Sequence, residues 1–291
     1  MFYQVNWLHD FWYLRGFNEL SGNAQTDNYG RGGVASDSLL AEGQDVSGTD
    51  NANMSTPADG SKPRMQMYTF NASNQLNPTR DGTFDMLIVG HEMGHYISNR
   101  LIGNSSGLGN RQGGSMGEGW GDFNCVLTTV LDTDNVDGTT YAVGGQTDRF
   151  FCGASFNDNY YYSIRRYPMS SSKAKNPLTF KDIGAGITTY PGVSGNPCLN
   201  LTSNPAEVHN SGEIWAQMLW QCFVGLSRAY GVSSARVKIT QYMIDGMKAT
   251  PSSPTFSEAR DGVIAAANAA NRNANPKDAQ ILWQASAFRG I

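Results

Sequence analysis

Two of the four histidines in this chain, His91 and His95, lie four positions apart in the stretch HEMGH. On an α-helix, side chains four residues apart point to the same side, so both imidazoles can bind one zinc ion. Glu92 stands beside the first histidine, where a glutamate can take a proton from a water activated by the metal. This H-E-x-x-H spacing predicts zinc-dependent hydrolysis. The alternative is a helix with two partly exposed histidines and a solvated glutamate.

A third ligand is predicted in the stretch GSMGEGWGDF, because a catalytic zinc needs three protein ligands and an open position. Glu118 and Asp122 are four residues apart and share one face of a helix. We expect Glu118 to bind the zinc and Asp122 to accept a hydrogen bond from a ligand histidine, which fixes the tautomer of that ring. Gly117, Gly119 and Gly121 weaken the helix but allow it to lie close to the first one. Taken alone, the stretch also fits a capped helix start with ordinary surface acids.

Two predicted helices carry these side chains. Apolar residues at helical spacing predict the first over residues 83–101, with Asp81 or Thr83 as its N-terminal cap. The second is predicted in the later part of residues 116–132, after a loop rich in glycine and serine. The metal-binding residues are therefore expected to come from two neighbouring helices.

The rest of the chain divides into a mixed part and a helical part. Many turn formers in residues 21–63 favour short strands, with LLAEGQD and RMQMYTF as the best strand candidates, and residues 133–208 are expected to be mostly irregular. Four further helices are predicted, in the order SGEIWAQMLWQCFVGLSRAYG, SSARVKITQYMIDGMKAT, TFSEARDGVIAAANAAN and PKDAQILWQASAFRG. We predict an α+β fold with a mixed N-terminal lobe over residues 1–103, a mainly helical C-terminal lobe over residues 104–291, and a cleft between them.

Composition and charge exclude several classes of protein. The formal net charge is -4 and the Lys and Arg residues are scattered, so a nucleic-acid partner is not expected. No uninterrupted apolar run approaches the roughly 20 residues that a membrane helix needs, so a soluble protein is expected. The opening residues lack the pattern of a secretory signal; if the protein is exported, this is predicted to be its processed or trimmed form.

The four cysteines, Cys125, Cys152, Cys198 and Cys222, are far apart and form no C-x-x-C pair, which gives little support to a cysteine-ligated metal site. Three disulfide pairings are possible, and the sequence leaves the choice open. Cys152 and Cys198 lie in turn-rich segments and are easier to bridge than the other two, which lie in helix-like runs.

The other two histidines carry weaker signals. His209 opens the stretch HNSGEIWAQMLWQ, in which Asn210 or Ser211 is expected to cap a helix, and such a histidine often only packs or caps. His9 lies in a strongly apolar helix and is expected to be structural. Residues 132–138, DTDNVDG, are rich in possible calcium ligands but lack the spacing and final glutamate of an EF-hand, so a solvated acidic turn is the alternative.

Two adjacent arginines are candidates for substrate binding. Arg165 or Arg166, in the stretch SIRRYP, is predicted to face the cleft and to orient a peptide carbonyl group by hydrogen bonding. The alternative, an ion pair on the protein surface, is the commoner role of an arginine.

Several stretches resemble one known family. HEMGHYISNRL, GSMGEGWGDF and FYQVNWLHDFWYLRGF are similar to the fungalysin-type metallopeptidases, the M36 group of the thermolysin-like gluzincins. The resemblance continues through residues 28–70 and through YYSIRRYPMS, so it covers most of the chain. It implies a thermolysin-like two-lobe zincin in which His91, His95 and Glu118 bind one zinc ion and Glu92 is the catalytic glutamate. It also implies a secreted endopeptidase made with an N-terminal propeptide.

The same resemblance assigns roles to residues away from the zinc. In thermolysin-like enzymes a histidine in a setting similar to that of His209 helps to stabilise the oxyanion that forms when water attacks the peptide carbonyl. The stretch DNANMSTPADG resembles the edge segment along which family members bind an extended peptide by strand addition. Asn51, Ala52 and Asn53 are the candidates there, and a plain turn between strands is the alternative.

Three functions compete. The leading hypothesis is a monomeric zinc-dependent endopeptidase that cleaves internal bonds of extracellular proteins or peptides. A gluzincin aminopeptidase uses the same zinc residues but needs an acidic pocket for the free amino terminus, and the G-A-M-E-N-type segment of those enzymes is absent. A non-catalytic module stabilised by zinc has no need of the base Glu92, which argues against it.

Overall fold

The computed structural model describes residues 1–70, 79–146, 161–184, 206–270 and 276–291. Within these ranges the helices are α1 (Phe2–Tyr13), α2 (Met86–Leu101), α3 (Arg111–Thr129), α4 (Val208–Tyr230), α5 (Val232–Ala249), α6 (Phe256–Ala270) and α7 (Lys277–Arg289). The strands are short: β1 (Leu40–Glu42), β2 (Ala52–Ser55), β3 (Arg64–Met67), β4 (Thr69–Phe70) and β5 (Arg80–Asp81). The predicted α+β class, mixed in its N-terminal part and mainly helical in its C-terminal part, is confirmed.

Strand β2 lies at one edge of the small sheet of the N-terminal part. The strand order is β1-β3-β2, with β1 parallel and β2 antiparallel to the central β3, so within the described ranges β2 has a sheet neighbour on one side. Both predicted strand segments contain strands, but the second is divided at Tyr68 into β3 and β4. β4 pairs with β5 in a separate two-stranded ribbon that leads into α2.

Helix α2 begins one turn later than predicted. A 3-10 turn, Gly82–Phe84, precedes it, and the side chain of Asp81 caps this turn by accepting a hydrogen bond from the Thr83 N–H. Asp85 caps α2 itself through the Leu87 N–H. The prediction of Asp81 or Thr83 as the helix cap is therefore wrong, because a separate 3-10 turn occupies the residues that the apolar spacing assigned to the helix.

Helix α3 begins inside the stretch that was predicted to be a loop. Asn110 caps it through the Gly113 N–H, and the glycines that follow lie within the helix. Glycine costs about 1 kcal/mol in a helix relative to alanine, but here it permits close helix packing. A Cβ on Gly94 of α2 would lie 2.6 Å from Gly121 Cα, and a Cβ on Gly119 would lie 2.5 Å from the carbonyl oxygen of Gly212 in α4. The glycines thus place α3 tightly between α2 and α4.

All four predicted C-terminal helices are present as α4 to α7. Helix α4 starts at Val208, three residues before the predicted start, and its cap is Glu207, whose side chain accepts hydrogen bonds from the N–H groups of His209 and Asn210. Asn210 or Ser211 as the cap is therefore wrong, because both residues already lie within the first helical turn. The longer helix places His209 in that turn rather than in a loop.

An irregular segment, residues 161–184, lies against α4 and is held there by buried side chains, in addition to an isolated antiparallel bridge between Tyr141 and Met169. Gln217 of α4 accepts a hydrogen bond from the Ser170 N–H and donates one to the Ser170 carbonyl. Arg289, fully buried in α7, donates to the carbonyl groups of Ser170, Asn176 and Leu178. These bonds satisfy backbone groups that would otherwise be buried without partners.

One continuous apolar core includes residues from Leu8 to Ile291, so the proposed division between residues 103 and 104 stays a prediction. Cys125 and Cys222 are buried free thiols, whereas Cys152 and Cys198 lie outside the described residues, as does any bridge that they form. Among the described helices, none combines the length and hydropathy that crossing a membrane requires.

Candidate active site

Three side chains that can ligate a metal converge where α2 meets α3. His91 and His95 project one turn apart from the same side of α2, and Glu118 comes from α3. The Nε2 atoms of His91 and His95 lie 3.3 Å and 3.6 Å from Glu118 Oε2. Ligand atoms of all three residues lie within 4.8 Å of one another. The structure therefore brings together the three residues that the sequence nominated as metal ligands.

This donor set fits a zinc ion. Glu118 Oε2 is buried and makes no hydrogen bond to any residue that the structure describes, although histidine nitrogens surround it. Ligand atoms at about 2.0 to 2.1 Å from a tetrahedral zinc lie about 3.3 Å apart, close to the separations found here. Two imidazole nitrogens and one carboxylate oxygen also match catalytic zinc sites that keep a fourth position open. A cation between these atoms gives the oxygen a partner that hydrogen bonding does not supply.

Glu92 follows His91 on α2 and lines the same cavity. Burial raises the pKa of its carboxyl group, while the nearby His95 and His91 oppose that shift. A carboxyl group with a raised pKa binds a proton more readily than a solvated glutamate does, which suits a group that must first accept and then release a proton. The position and the electrostatics of Glu92 both fit acid–base chemistry.

A buried ion pair between Asp122 and Arg165 supports the His91 ring at Nδ1. Asp122 Oδ1 lies 2.8 Å from His91 Nδ1. Arg165 donates to both carboxylate oxygens of Asp122, through Nε at 2.7 Å and Nη2 at 2.8 Å. Burial alone would raise the pKa of Asp122, but Arg165 and His91 lower it to about 2. Asp122 is therefore charged at neutral pH and orients the His91 ring so that Nε2 faces Glu118.

His209 approaches the same carboxylate from the first turn of α4. Its Nε2 lies 3.3 Å from Glu118 Oε2, and its Nδ1 lies 2.6 Å from Glu207 Oε1. Burial of Glu207 would raise the pKa of its carboxyl group, but the hydrogen bond with His209 lowers it. Glu207 was not predicted. The signal for it was a glutamate two residues before a helix-entry histidine, within reach of both the ring and the first N–H groups of the helix.

The site residues line one open cleft with a volume of about 640 Å³. Every predicted site residue except Asp122 contributes to its surface. Asn51, Ala52 and Asn53, at and just before the start of β2, form one border, and Ile88 and Ile164 add apolar surface. The cleft is thus bordered by a strand whose outer edge pairs with no other strand that the structure describes, as strand addition of an extended peptide requires.

Arg166 also borders the cleft, but it is buried in an ion pair with Glu213 of α4. Its backbone N–H and its Nε donate to Glu213 Oε1, at 2.9 Å and 3.3 Å. Neither arginine forms the surface ion pair that was the alternative to a place in the cleft, because both are buried. Glu213 was not predicted; the signal for it was a single acid within the otherwise small and apolar run SGEIWA.

Two other candidate features lie away from the cleft. In the acidic loop at 132–138, Asp137 pairs with Arg228 and Asp132 pairs with Arg236, so these carboxylates contact cations of α4 and α5 rather than converging on one point. The arrangement favours the acidic turn over a calcium site. His9 contacts Gln25 and lines a separate, mainly apolar cavity, as expected for a structural histidine.

Comparison with known proteins identifies the family of the chain. The family model of the fungalysin metallopeptidases (M36) matches residues 1–291. The chain is 34% identical to extracellular metalloproteinase mep of Aspergillus flavus and 34% identical to extracellular metalloproteinase 2 of Arthroderma gypseum. Each match covers 100% of this chain and 43% of the relative, so the chain spans less than half the length of these relatives. With a match over its whole length, the chain belongs to the fungalysin (M36) metallopeptidase family.

Proposed function

We propose that this chain carries the catalytic site of a zinc-dependent endopeptidase that hydrolyses internal peptide bonds of extracellular proteins. The observation that carries the proposal is the position of Glu92, a buried acid beside three converging metal donors in a cleft with an open strand edge. A purely structural zinc site needs neither an adjacent acid nor an open cleft.

His91, His95 and Glu118 are the proposed zinc ligands. A zinc ion held by them supplies a Lewis acid that polarises the scissile carbonyl group and makes water easier to deprotonate. The charge of Glu118 favours this role: burial would raise its pKa, but His95 and His91 hold it well below the ordinary value. The carboxylate is therefore available for the metal across the neutral pH range.

Glu92 is the proposed general base and acid. Its carboxylate takes the proton from the attacking water and delivers it to the leaving amine, so the same group acts in both halves of the reaction. Burial, which raises its pKa, favours the protonated form that must exist between these two steps.

His209 is the proposed donor to the oxyanion that forms from the peptide carbonyl. With Nδ1 directed at the Glu207 carboxylate, Nε2 is the ring nitrogen that faces the cleft and Glu118, where it can meet a substrate oxyanion. A donor aimed at developing negative charge lowers the barrier, because its orientation is set before the reaction begins.

The peptide substrate is proposed to lie along β2 as an additional strand, next to Asn51, Ala52 and Asn53. Main-chain hydrogen bonds to a strand edge accept many sequences, which suits an endopeptidase. Arg165, fixed by its two bonds to Asp122, is proposed to donate to a substrate carbonyl group.

We also propose that the protein is secreted, that its precursor carries an N-terminal propeptide, and that it is a monomer. Two relatives are named extracellular metalloproteinases, which supports secretion. The propeptide and the monomer follow from the family resemblance of the sequence. Fractionation of the source culture tests secretion, and sedimentation of the purified chain tests the monomeric state.

The test is cleavage of an internally quenched peptide blocked at both ends, with and without a zinc chelator. We expect cleavage that the chelator abolishes and that added zinc restores. Glu92→Gln is the matched variant: it should keep its zinc and lose activity by roughly 100- to 10,000-fold. Cleavage of unblocked peptides only would instead indicate an aminopeptidase, and a folded, zinc-loaded chain that cleaves neither would indicate a non-catalytic module.

A further inference from the structure

A buried ion pair joins the irregular segment to helix α4. Glu213 Oε1 accepts hydrogen bonds from both the backbone N–H and the Nε of Arg166, and both side chains are almost fully buried. Burial raises the pKa of Glu213, while Arg166 opposes the shift. Because a buried charge is costly without a partner, this pair fixes the position of the guanidinium group closely.

A second nitrogen of the same guanidinium group contacts the start of α4. Arg166 Nη2 donates to the carbonyl oxygen of Asn210, the residue that follows His209. Asn210 and Glu213 lie three residues apart on the helix, so one guanidinium group spans its first turn. That turn also carries the ring that approaches Glu118.

We propose that Arg166 is a positioning residue for His209. It holds the first turn of α4 through the Asn210 carbonyl, while Glu213 holds the guanidinium group in place. The ring of His209 is thereby kept at the distance from the metal ligands at which it meets the substrate oxyanion. This inference rests on the proposed function, because it assigns Arg166 a part in that same reaction.

The neighbouring contacts indicate that Arg166 acts on His209 rather than on Arg165, the arginine proposed to bind the substrate. Arg165 is oriented by its own two hydrogen bonds to Asp122, and Glu213 acts on it through charge rather than through a hydrogen bond. Gln217 holds the same irregular segment one helical turn further on, at Ser170, and does not border the cleft. Arg166 therefore differs from both neighbours in contacting the turn that carries the histidine.

The first variant is Arg166→Lys, which keeps the charge for Glu213 but loses the planar group that also reaches Asn210. We expect kcat to fall roughly 10- to 100-fold, as a small misplacement of a catalytic group produces, with KM within about 3-fold and zinc content unchanged. Hydrogen exchange at the first turn of α4 should become faster. Unchanged kcat in a zinc-loaded variant would overturn the inference.

A second variant separates positioning from stability. Arg166→Met combined with Glu213→Leu removes both charges, and such apolar replacements of buried pairs often keep or increase stability. We expect a melting temperature at or above that of the lysine variant, together with a kcat that stays low. Recovery of wild-type kcat in this double variant would show that the pair is only structural. Gln217→Leu is the matched control, in which we expect a lower melting temperature and a kcat within about 3-fold of wild type.

The decisive measurement is a double-mutant cycle with His209→Gln. If Arg166 acts through His209, Arg166→Lys should lower kcat by less than about 2-fold once His209 has been replaced. An equal loss in both backgrounds would overturn the inference but leave the proposed endopeptidase in place. A wild-type chain that cleaves no peptide would instead overturn the proposed function, and this inference with it.

Discussion

The two sides of the cleft present the same pair of groups in different surroundings. His91 and His209 each place Nε2 3.3 Å from Glu118 Oε2, and each has a carboxylate beside Nδ1, Asp122 at 2.8 Å and Glu207 at 2.6 Å. The side chains of His91 and Asp122 are 9% and 1% exposed, whereas those of His209 and Glu207 are 49% and 30% exposed. The two pairs contain the same chemical groups, an imidazole and a carboxylate, and differ in how deeply these groups are buried.

This difference in exposure fits the two roles that we propose for the histidines, metal ligand for His91 and oxyanion donor for His209. Inside the protein, electrostatic interactions are strong and reorganisation is limited, which suits a ligand that must hold a metal through every turnover. Near solvent, a charged pair is screened and its side chains move more easily, which suits a donor that engages the substrate only as charge develops. Variants of the buried pair should therefore affect mainly metal binding, and variants of the exposed pair mainly turnover.

The largest expected effect removes the carboxylate that both histidines approach. Glu118→Ala should lose bound zinc and lower kcat/KM by at least about 1,000-fold, since a metal contributes several kcal/mol to the stabilisation of the transition state. Metal analysis and peptide cleavage measure the two losses. A variant that retains full zinc would show that the histidines alone hold the metal.

The next effect concerns the buried pair. Asp122→Asn should weaken zinc binding by roughly 10- to 100-fold, as replacement of an outer partner of a metal-binding histidine typically does. Competition with a chromogenic chelator measures the affinity. Glu207→Gln is the matched control, because it alters the exposed pair and should leave zinc affinity within about 3-fold.

The pH dependence of zinc binding is a second test of the buried pair. Burial lowers the pKa of His91, but Asp122 and Glu118 outweigh it and raise this pKa to about 10 in the metal-free protein. Zinc must displace that proton, so affinity should rise about 10-fold per pH unit between pH 6 and pH 8. Asp122→Asn removes one cause of the raised pKa and should reduce the slope. A wild-type affinity independent of pH would contradict this account.

The effect expected for the exposed pair is smaller and appears in turnover. Glu207→Gln keeps a cap for α4 but removes the charge beside His209, so kcat should fall about 10-fold with zinc content unchanged. Because the pair is near solvent, the ratio of wild-type to variant kcat should shrink as salt concentration rises. Loss of zinc in this variant would show that the exposed pair also supports metal binding. That result would contradict the proposed difference between the two pairs.

The smallest effects are expected where α3 and α4 touch. Gly119→Ala should lower the free energy of unfolding by about 1 to 3 kcal/mol, because the new Cβ lies 2.5 Å from the Gly212 carbonyl oxygen. Gly114→Ala on the same helix is the control, since among the described residues its Cβ meets Val208 alone, at an ordinary 3.5 Å. It should raise stability by up to about 1 kcal/mol, as alanine favours helix more than glycine does. Thermal unfolding measures both.

The metal-binding part of the site was predictable because its spacing is local. His91 and His95 are one helical turn apart, as are Glu118 and Asp122, so each pair shares a helix face whatever the rest of the fold does. Helix type and order in the C-terminal part were predictable for the same reason, from apolar residues at helical spacing.

Other parts depend on contacts between distant segments. Arg166 and Glu213 are 47 residues apart, and the sequence does not indicate that an irregular segment returns to α4 there. The start of α3 was missed because its glycines disfavour a helix locally, and only the close packing at Gly94 and Gly119 explains them. Caps were misplaced where a 3-10 turn or an unexpected glutamate intervened, as at Asp85 and Glu207.

Arg289 has a consequence for the order in which the protein assembles during synthesis. The proposed metal ligands and general base, from His91 to Glu118, precede α7 in the chain and so leave the ribosome before it. The segment that carries Arg165 acquires the bonds from Arg289 to Ser170, Asn176 and Leu178 only when α7 has reached α4. Domains generally fold as units while the chain emerges. The border of the cleft that carries Arg165 therefore reaches its final position only after the last of the described helices has packed against α4.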